Sequence, residues 1–305
     1  MKKLVLIDGH AIFYRAFHAM PLLVNSKNEY TNAIYGFMKM LFEIVRIKKP
    51  EYLAIAFDHK SKTNRHLEYA EYKAQRKPPP PELFPQMPKL QELLRVFNIP
   101  IFEMEGYEAD DVLGTLATQA SQKGDIETLI VTGDMDSFQL VNDHIFVFSP
   151  QMGMSKATLY DRAQVIAKMG LTPEQVIDYK ALRGDVSDNI PGVPGIGDKQ
   201  ACELLTKYQT LENIYDHLSE LRPGQQKKLT EGRESALFSK KLATIQRDVP
   251  VTLDLEACLL RPIPYQTAKT ALDELEFKSI ANRLQAFPEF VEPQPEEPSL
   301  QGTLF

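Results

Sequence analysis

Three short runs of consecutive apolar residues each lead into an aspartate. Leu4-Val5-Leu6-Ile7 meets Asp8, Leu53-Ala54-Ile55-Ala56-Phe57 meets Asp58, and Leu129-Ile130-Val131-Thr132-Gly133 meets Asp134. Apolar runs of this length, bounded by polar residues, predict strands buried on both faces of a parallel sheet. Between them apolar positions recur at helical spacing, which predicts helices over Asn32–Lys48, Gln86–Phe97 and Ala109–Gln122. Strands alternating with helices imply a doubly wound α/β domain with a mainly parallel sheet. In such sheets ligands bind beyond the carboxyl ends of the strands, where the three aspartates fall. Any one of them could instead simply cap the helix that follows. Three together favour a shared site.

More carboxylates join them. Glu108-Ala109-Asp110-Asp111 opens the third helix, a position where acids also serve the helix dipole. Asp134-Met135-Asp136 puts two acids at a strand end, and Gly184-Asp185-Val186-Ser187-Asp188 supplies two more. The candidate set is therefore Asp8, Asp58, Glu108, Asp110, Asp111, Asp134, Asp136, Asp185 and Asp188. Converging carboxylates repel and raise one another's pKa values unless cations intervene. Hard, oxygen-preferring Mg²⁺ or Mn²⁺ would relieve that repulsion, and the scarcity of neighbouring His and Cys disfavours zinc. A site with two such ions, suited to phosphoryl chemistry, is the expectation.

A basic counterpart lies between the second and third groups of acids. Residues 60–95 carry eight Lys or Arg against four Glu, and the stretch Arg65–Lys77 interleaves its cations with Tyr69 and Tyr72 before Pro78–Pro81. It reads as a basic helical segment able to meet a phosphate backbone, or more simply as a solvated surface helix. Further on, Gly192-Val193-Pro194-Gly195-Ile196-Gly197-Asp198-Lys199 lies between helical patterns at Pro173–Leu182 and Asp198–Tyr208. A helix–Gly-Ile-Gly–helix hairpin frees backbone amides and a helix N-terminus for a phosphate; the bland alternative is a plain helical hairpin turn.

Composition at first opposes a nucleic-acid partner. The 305 residues are 43% hydrophobic with a net charge of −6, whereas nucleic-acid binders are usually basic. The last 18 residues, Pro288–Phe305, hold four Glu and no Lys or Arg, which leaves −2 for the rest. Setting the nine candidate ligands aside turns that body to +7. Two cysteines, Cys202 and Cys258, make no disulfide framework, and no 18-residue apolar stretch occurs. A cytoplasmic protein without membrane contact is expected.

These motifs, in order, resemble the 5′-nuclease domains of bacterial DNA polymerase I and, more distantly, the flap endonucleases. The resemblance rests on Asp8-Gly9-His10 with Tyr14-Arg15, Phe57-Asp58 with Arg65-His66, Tyr72-Lys73-Ala74-Gln75-Arg76, Glu108–Asp111, Thr132–Asp136 and Gly184–Gly192. It runs from about residue 2 to 287 and implies a PIN-like nuclease fold. Residues 1–170 would form the catalytic domain with a helical arch near 60–95. Residues 171–287 would form a helical DNA-binding region with a helix–three-turn–helix module, and 288–305 a disordered acidic tail.

The resemblance also implies roles. Asp8, Asp58, Glu108 and Asp110 would surround one metal ion, and Asp134, Asp136 and Asp188 the other, with Asp111 and Asp185 orienting ligands or waters. Arg65, Lys73 and Arg15 would act on the scissile phosphate. Tyr14 would stack on a base, while Tyr72, Arg76, Lys77, Gly195, Gly197 and Lys199 would contact DNA. K⁺ would bind carbonyls of the hairpin. The implied activity is a 5′-3′ exonuclease or 5′-flap endonuclease, a monomer leaving 5′-phosphates in primer removal and repair. The other readings are a catalytically silent junction binder of the same fold, or a small-molecule phosphatase or receiver, which would leave the basic segment and the hairpin unexplained. The terminal Gln301-Gly302-Thr303-Leu304-Phe305 is similar to the motif by which bacterial proteins dock on the sliding clamp, with Gln301, Leu304 and Phe305 as anchors.

Overall fold

The computed structural model describes residues 1–150 and 157–293. The chain divides into two compact units, one made of residues 1–12, 54–80 and 102–254, the other of 13–53, 81–101 and 255 onward. The strands are β1 (Lys2–Asp8), β2 (Tyr52–Ala56), β3 (Ile101–Phe102), β4 (Ile126–Val131), β5 (Ile145–Ser149) and β6 (Thr158–Tyr160). They form one sheet in the order β3-β2-β1-β4-β5-β6. β1 runs parallel to β4, and β4 to β5, while β6 closes the edge antiparallel. Leu4, Val5, Leu6 and Ile7 are fully buried, as a strand covered on both faces requires.

Strand order fixes where a ligand could sit. From β1 the chain builds outward through β2 and β3, then returns to β4 on the other side of β1. The reversal between β1 and β4 leaves a crevice beyond their carboxyl ends, the ends that carry Asp8 and Asp134.

The helices that shape this first unit are α1 (Gly9–Ala19), which continues into the second unit, then α3 (Asn64–Glu68) and α5 (Ala109–Ser121), with α2 (Asn32–Lys48) and α4 (Gln86–Val96) belonging to the second. Beyond the sheet come α6 (Arg162–Met169), α7 (Gln175–Arg183), α8 (Asp198–Tyr208), α9 (Leu211–Asp216), α10 (Pro223–Glu231) and α11 (Arg233–Ala243). Leu182, Val193, Ile196, Leu205, Leu229 and Ala236 share a buried cluster that holds α7, α8, α10 and α11 together. No helix among the described residues is long and apolar enough to cross a membrane.

The basic stretch departs from expectation. It is helical only over α3, and residues 70–76 are a run of turns. Lys73 adopts a left-handed φ of 56°, and its amide is spent on the Asp188 carbonyl at 3.0 Å, so no helix can pass through it.

In the second unit the buried amide of Gln86 accepts from Ala33 N at 2.8 Å and donates to Asn32 Oδ1 at 3.1 Å. It thereby caps α2, whose own N-cap Thr31 makes no side-chain bond. This unit ends with α12 (Tyr265–Glu274) and α13 (Lys278–Ala281). The acidic tail starts later than composition suggests. Phe290 is buried against Phe42 at a ring separation of 4.6 Å, and its carbonyl accepts from Ile263 N at 2.9 Å. The apolar pair Phe290-Val291 overrides its Pro- and Glu-rich surroundings. Residues 294–305, with the clamp-like motif, lie outside the described residues.

The turn that carries Asp185 and Asp188 is a tight hairpin. Asp185 and Ile190 exchange both backbone bonds, at 2.8 and 2.9 Å. Gly184 and Gly192 flank it with φ of 78° and 64°, and a Cβ on Gly192 would lie 2.2 Å from Gly184 N. The two backbones pack where no side chain fits. Gly192→Ala should therefore cost at least about 2 kcal/mol, from left-handed strain plus overlap with main chain. A urea unfolding midpoint equal to wild type would refute this packing.

Candidate active site

The carboxylates are placed mainly by the ends of regular elements. Asp8 ends β1 and accepts from Ala11 N at 2.9 Å and from Thr132 Oγ1 at 2.8 Å, so it caps α1 while facing the crevice. Asp58 accepts from Ala109 N at 2.7 Å and so stabilises the start of α5, while its own amide donates to His10 Nδ1 at 2.9 Å. Asp134 accepts from Asp136 N at 2.9 Å, which starts the 3₁₀ turn Met135–Leu140. Capping and site-building use the same side chains here. An oxygen that accepts one amide keeps a second lone pair for another partner.

Two groups emerge. Ligand oxygens of Asp136, Asp185 and Asp188 lie within 4.8 Å of one another. Lys180 Nζ bridges two of them, at 2.5 Å from Asp185 and in direct contact with Asp136. Arg76 reaches Asp188 Oδ1 at 2.5 Å. The second group centres on Glu108 and Asp110. Glu108 receives Lys73 at 2.7 Å on one oxygen, and Tyr72 at 3.1 Å and Arg65 at 3.2 Å on the other. Asp110 Oδ1 is buried and has no hydrogen-bond partner.

Electrostatics follow from this crowding. Burial, aided by the charges of Asp58 and Asp134, pushes the Asp8 carboxyl up to about 7. Burial and the charges of Asp8 and Asp134 push Asp110 well above the ordinary range. Asp136 also rises to about 7, through burial and Asp134, despite its contact with Lys180. Asp185 behaves oppositely. Burial alone would raise it, but Lys180 and the amide and hydroxyl of Ser187 hold it at about 2. The same ammonium faces both acids. The difference arises because burial weighs more heavily on Asp136, which also has a like-charged neighbour in Asp134, whereas Asp185 has the Ser187 donors at 2.8 and 2.6 Å.

Several expected roles change. Arg65 is 7% exposed and donates to Leu242 O, Thr244 O, Glu108 and both oxygens of Asp111, so all five of its N–H groups are engaged. It does not present itself to a phosphate. Tyr72 is buried, with its hydroxyl on Glu108 and 3.3 Å from Asp188, so it is no DNA-facing surface residue. Asp111, a candidate expected to orient ligands or waters, accepts from Arg65 twice and from the amides of Glu108 and Gln246, so both its oxygens are engaged within the protein. The Gly195 carbonyl, one of those expected for K⁺, accepts from Lys228 Nζ at 2.8 Å.

Other expected residues lie on open surface or outside this unit. Lys77 and Lys199 are exposed, and Gly195 and Gly197 form the connection between α7 and α8. Tyr14 and Arg15 lie on the part of α1 that belongs to the second unit. Sequence reasoning passed over Lys180, Thr132 and Ser187. Only the spacing of Lys180, five residues before Asp185, hinted at a role. A groove of about 790 Å³ opens beside the first group, lined by Asp134, Asp136, Lys180 and Asp185, and further along by Tyr179 and Arg183.

Comparison with known proteins places this arrangement. Residues 3–170 match the 5′-3′ exonuclease N-terminal resolvase-like domain, and residues 171–266 the 5′-3′ exonuclease C-terminal SAM fold. DNA polymerase I of Bacillus caldotenax is 45% identical over 93% of this chain, and that of Bacillus subtilis 42% over 93%. The chain spans about a third of the length of these curated relatives, 32% in both cases. Among solved structures, T5 5′-exonuclease with bound zinc ions superposes with a TM-score of 0.66 at 20% identity, over 95% of this chain and 99% of that one. The catalytic core of Rad2 in complex with DNA substrate gives 0.57 at 15% identity, over 94% and 93%. Those two likenesses speak for the fold, whereas the two domain matches follow one another along nearly the whole described chain. The chain belongs to the 5′-3′ exonuclease family.

Proposed function

We propose that the protein hydrolyses phosphodiester bonds near the 5′ end, flap or nick of a DNA strand, using divalent cations held by the carboxylates described above. The convergence of Asp136, Asp185 and Asp188 oxygens within 4.8 Å carries the reading. The donor set is all oxygen, and the partnerless buried oxygen of Asp110 calls for a cation; both suit Mg²⁺ or Mn²⁺. Asp136 and Asp188, with Asp134 and Asp185 beside them, would hold one ion. Asp8, Glu108 and Asp110, with Asp58, would hold the other. Bound there, the ions supply Lewis-acid stabilisation of charge on the attacking and leaving oxygens.

The chain's own groups do the rest. Lys73 and Arg76, which pair with Glu108 and Asp188, stand ready to meet nonbridging phosphate oxygens once metal takes over those acids. Exposed Lys77 and Lys199 would position the strand by backbone contacts that read no sequence. Tyr14 and Arg15 would contribute a stacking surface and a further cation. The 5′-phosphate products suit primer removal and repair. The tail residues Gln301, Leu304 and Phe305 would tether the enzyme to the sliding clamp, raising its local concentration at nicks.

Cleavage of a 5′-flap duplex with Mg²⁺ is the direct test. Asp134→Ala should lose at least about 100-fold in rate while still binding the flap, because the acid serves the ion and not the strand. Wild-type protein that binds flaps and cuts none with Mg²⁺ or Mn²⁺ would be a silent junction binder, and the proposal would fail.

Stability should report the same site. Asp8 and Asp136 are pushed up to about 7, above the ordinary value of 3.8, so the folded state holds extra protons. Their contribution is complete below the unfolded value and is lost as pH rises through about 7. A divalent ion replaces those protons, so its stabilisation should grow with pH. In thermal melts, the increase in Tm from EDTA to Mg²⁺ should be larger at pH 7.5 than at pH 5.5. Equal increments would show that these carboxyls do not take the metal.

A further inference from the structure

We infer that Arg65 is a positioning residue: it locks Glu108 in place and pins the end of α11 to the start of α5. The inference rests on the metal-site reading above and concerns how that site is held. Arg65 Nη1 lies 2.7 Å from Asp111 Oδ2 and 3.2 Å from Glu108 Oε2. Nη2 lies 2.7 Å from both Asp111 Oδ1 and Thr244 O, and Nε lies 2.9 Å from Leu242 O. Each of its five N–H groups thus has an acceptor, divided between two parts of the chain, the start of α5 and the end of α11. The acceptors on α11 and just beyond it are carbonyls at a helix C-terminus, which lack partners within the helix and favour a cation.

The far side of α11 shows what this pin connects. Ser239 Oγ accepts from Gly192 N at 2.9 Å, and Ser235 Oγ donates to Gly192 O at 2.6 Å. One helix therefore holds Gly192, which flanks the Asp185–Asp188 hairpin, and ends on Arg65. Asp111 extends the tie, accepting from Gln246 N at 2.8 Å just past α11 and from Glu108 N at 3.1 Å. Through Arg65, both candidate ligand groups refer to one rigid element.

A direct contact between Arg65 and phosphate competes poorly with this role. Swinging the guanidinium out would leave Asp111, 1% exposed, as a buried anion without a counter-ion. Breaking a buried pair in this way is strongly unfavourable. The donors around Glu108 also differ in kind. Lys73 meets the opposite oxygen of Glu108 and is only partly buried, so it can move without undoing the scaffold.

The test is Arg65→Lys in the full chain, because lysine keeps the charge near Asp111 but cannot serve five acceptors in a planar fork. Mn²⁺ affinity, measured by titration calorimetry, should weaken about 10-fold or more, the range seen when groups that orient metal ligands are lost. The Mg²⁺ needed for half-maximal flap cleavage should rise by a similar factor. Flap affinity in EDTA should stay at the wild-type level, and cleavage at saturating Mg²⁺ should return to within a few-fold of wild type. Unchanged Mn²⁺ affinity with a persistent loss of rate at saturating Mg²⁺ would instead mark a direct phosphate contact and overturn the inference. If the lysine variant does not unfold cooperatively, Tyr72→Phe removes another donor to the same Glu108 oxygen; Mn²⁺ affinity at the wild-type level there also overturns it. Wild-type protein that takes up no Mn²⁺ overturns the metal-site reading itself, and this inference with it.

Discussion

Carboxylates crowded at the carboxyl ends of β1 and β4, and on the turns and helix starts around them, set the terms for the rest of this molecule. Charges of one sign at such distances in a poorly hydrated crevice repel strongly. The chain resolves that repulsion in two ways that can coexist. Burial and like charge favour the protonated form of some acids, displacing Asp8 and Asp110 upward. Others face cations supplied by the chain: Lys180 for Asp136 and Asp185, Arg76 for Asp188, Lys73 for Glu108 and Arg65 for Asp111. These cations differ in what would happen if they left. Arg65 and Asp111 are buried together and form part of the scaffold, whereas Arg76 sits at a half-exposed rim where it can exchange one anionic partner for another.

Much of the site was legible because the strands announce themselves. Continuous apolar runs that stop at Asp8, Asp58 and Asp134 predict buried strands with acids at their ends, and parallel topology then brings those ends together. The short strands β3 and β6 left no such trace: two and three residues are too few for a periodic signal. The basic stretch misled for a different reason. Its composition suits a helix, but the backbone of Lys73 is committed to Asp188, 115 residues further on. Local propensity cannot reveal a long-range tie of that kind. Arg65 and Tyr72 share the difficulty. Their residue types suit a nucleic-acid surface, and only the tertiary structure shows that burial and partners have already claimed them.

The two readings of the strand-end acids, helix cap or functional ligand, need not compete. Asp8 caps α1 and Asp58 caps α5. A cap fixes a carboxylate's rotamer by a bond to backbone, and a fixed carboxylate is what a metal site needs for preorganisation. The stability gained from capping offsets part of the cost of collecting acids in one place. Asp111 carries this to its limit, since every bond it makes serves structure and its influence on chemistry passes through Glu108 and Arg65.

Net charge is thus a poor guide to partner in a protein of this design. The −6 of the whole chain averages an acidic floor, a partly basic rim and an acidic C-terminal stretch. A polyanionic strand approaching the floor would meet repulsion from the acids that do not hold protons. The same strand approaching with divalent ions in place would meet net attraction, because each ion adds two positive charges where the acids converge. On the proposed function, substrate engagement and metal occupancy would then be coupled through electrostatics. Reciprocity follows: whatever factor metal lends to DNA affinity at the floor, DNA returns to metal affinity.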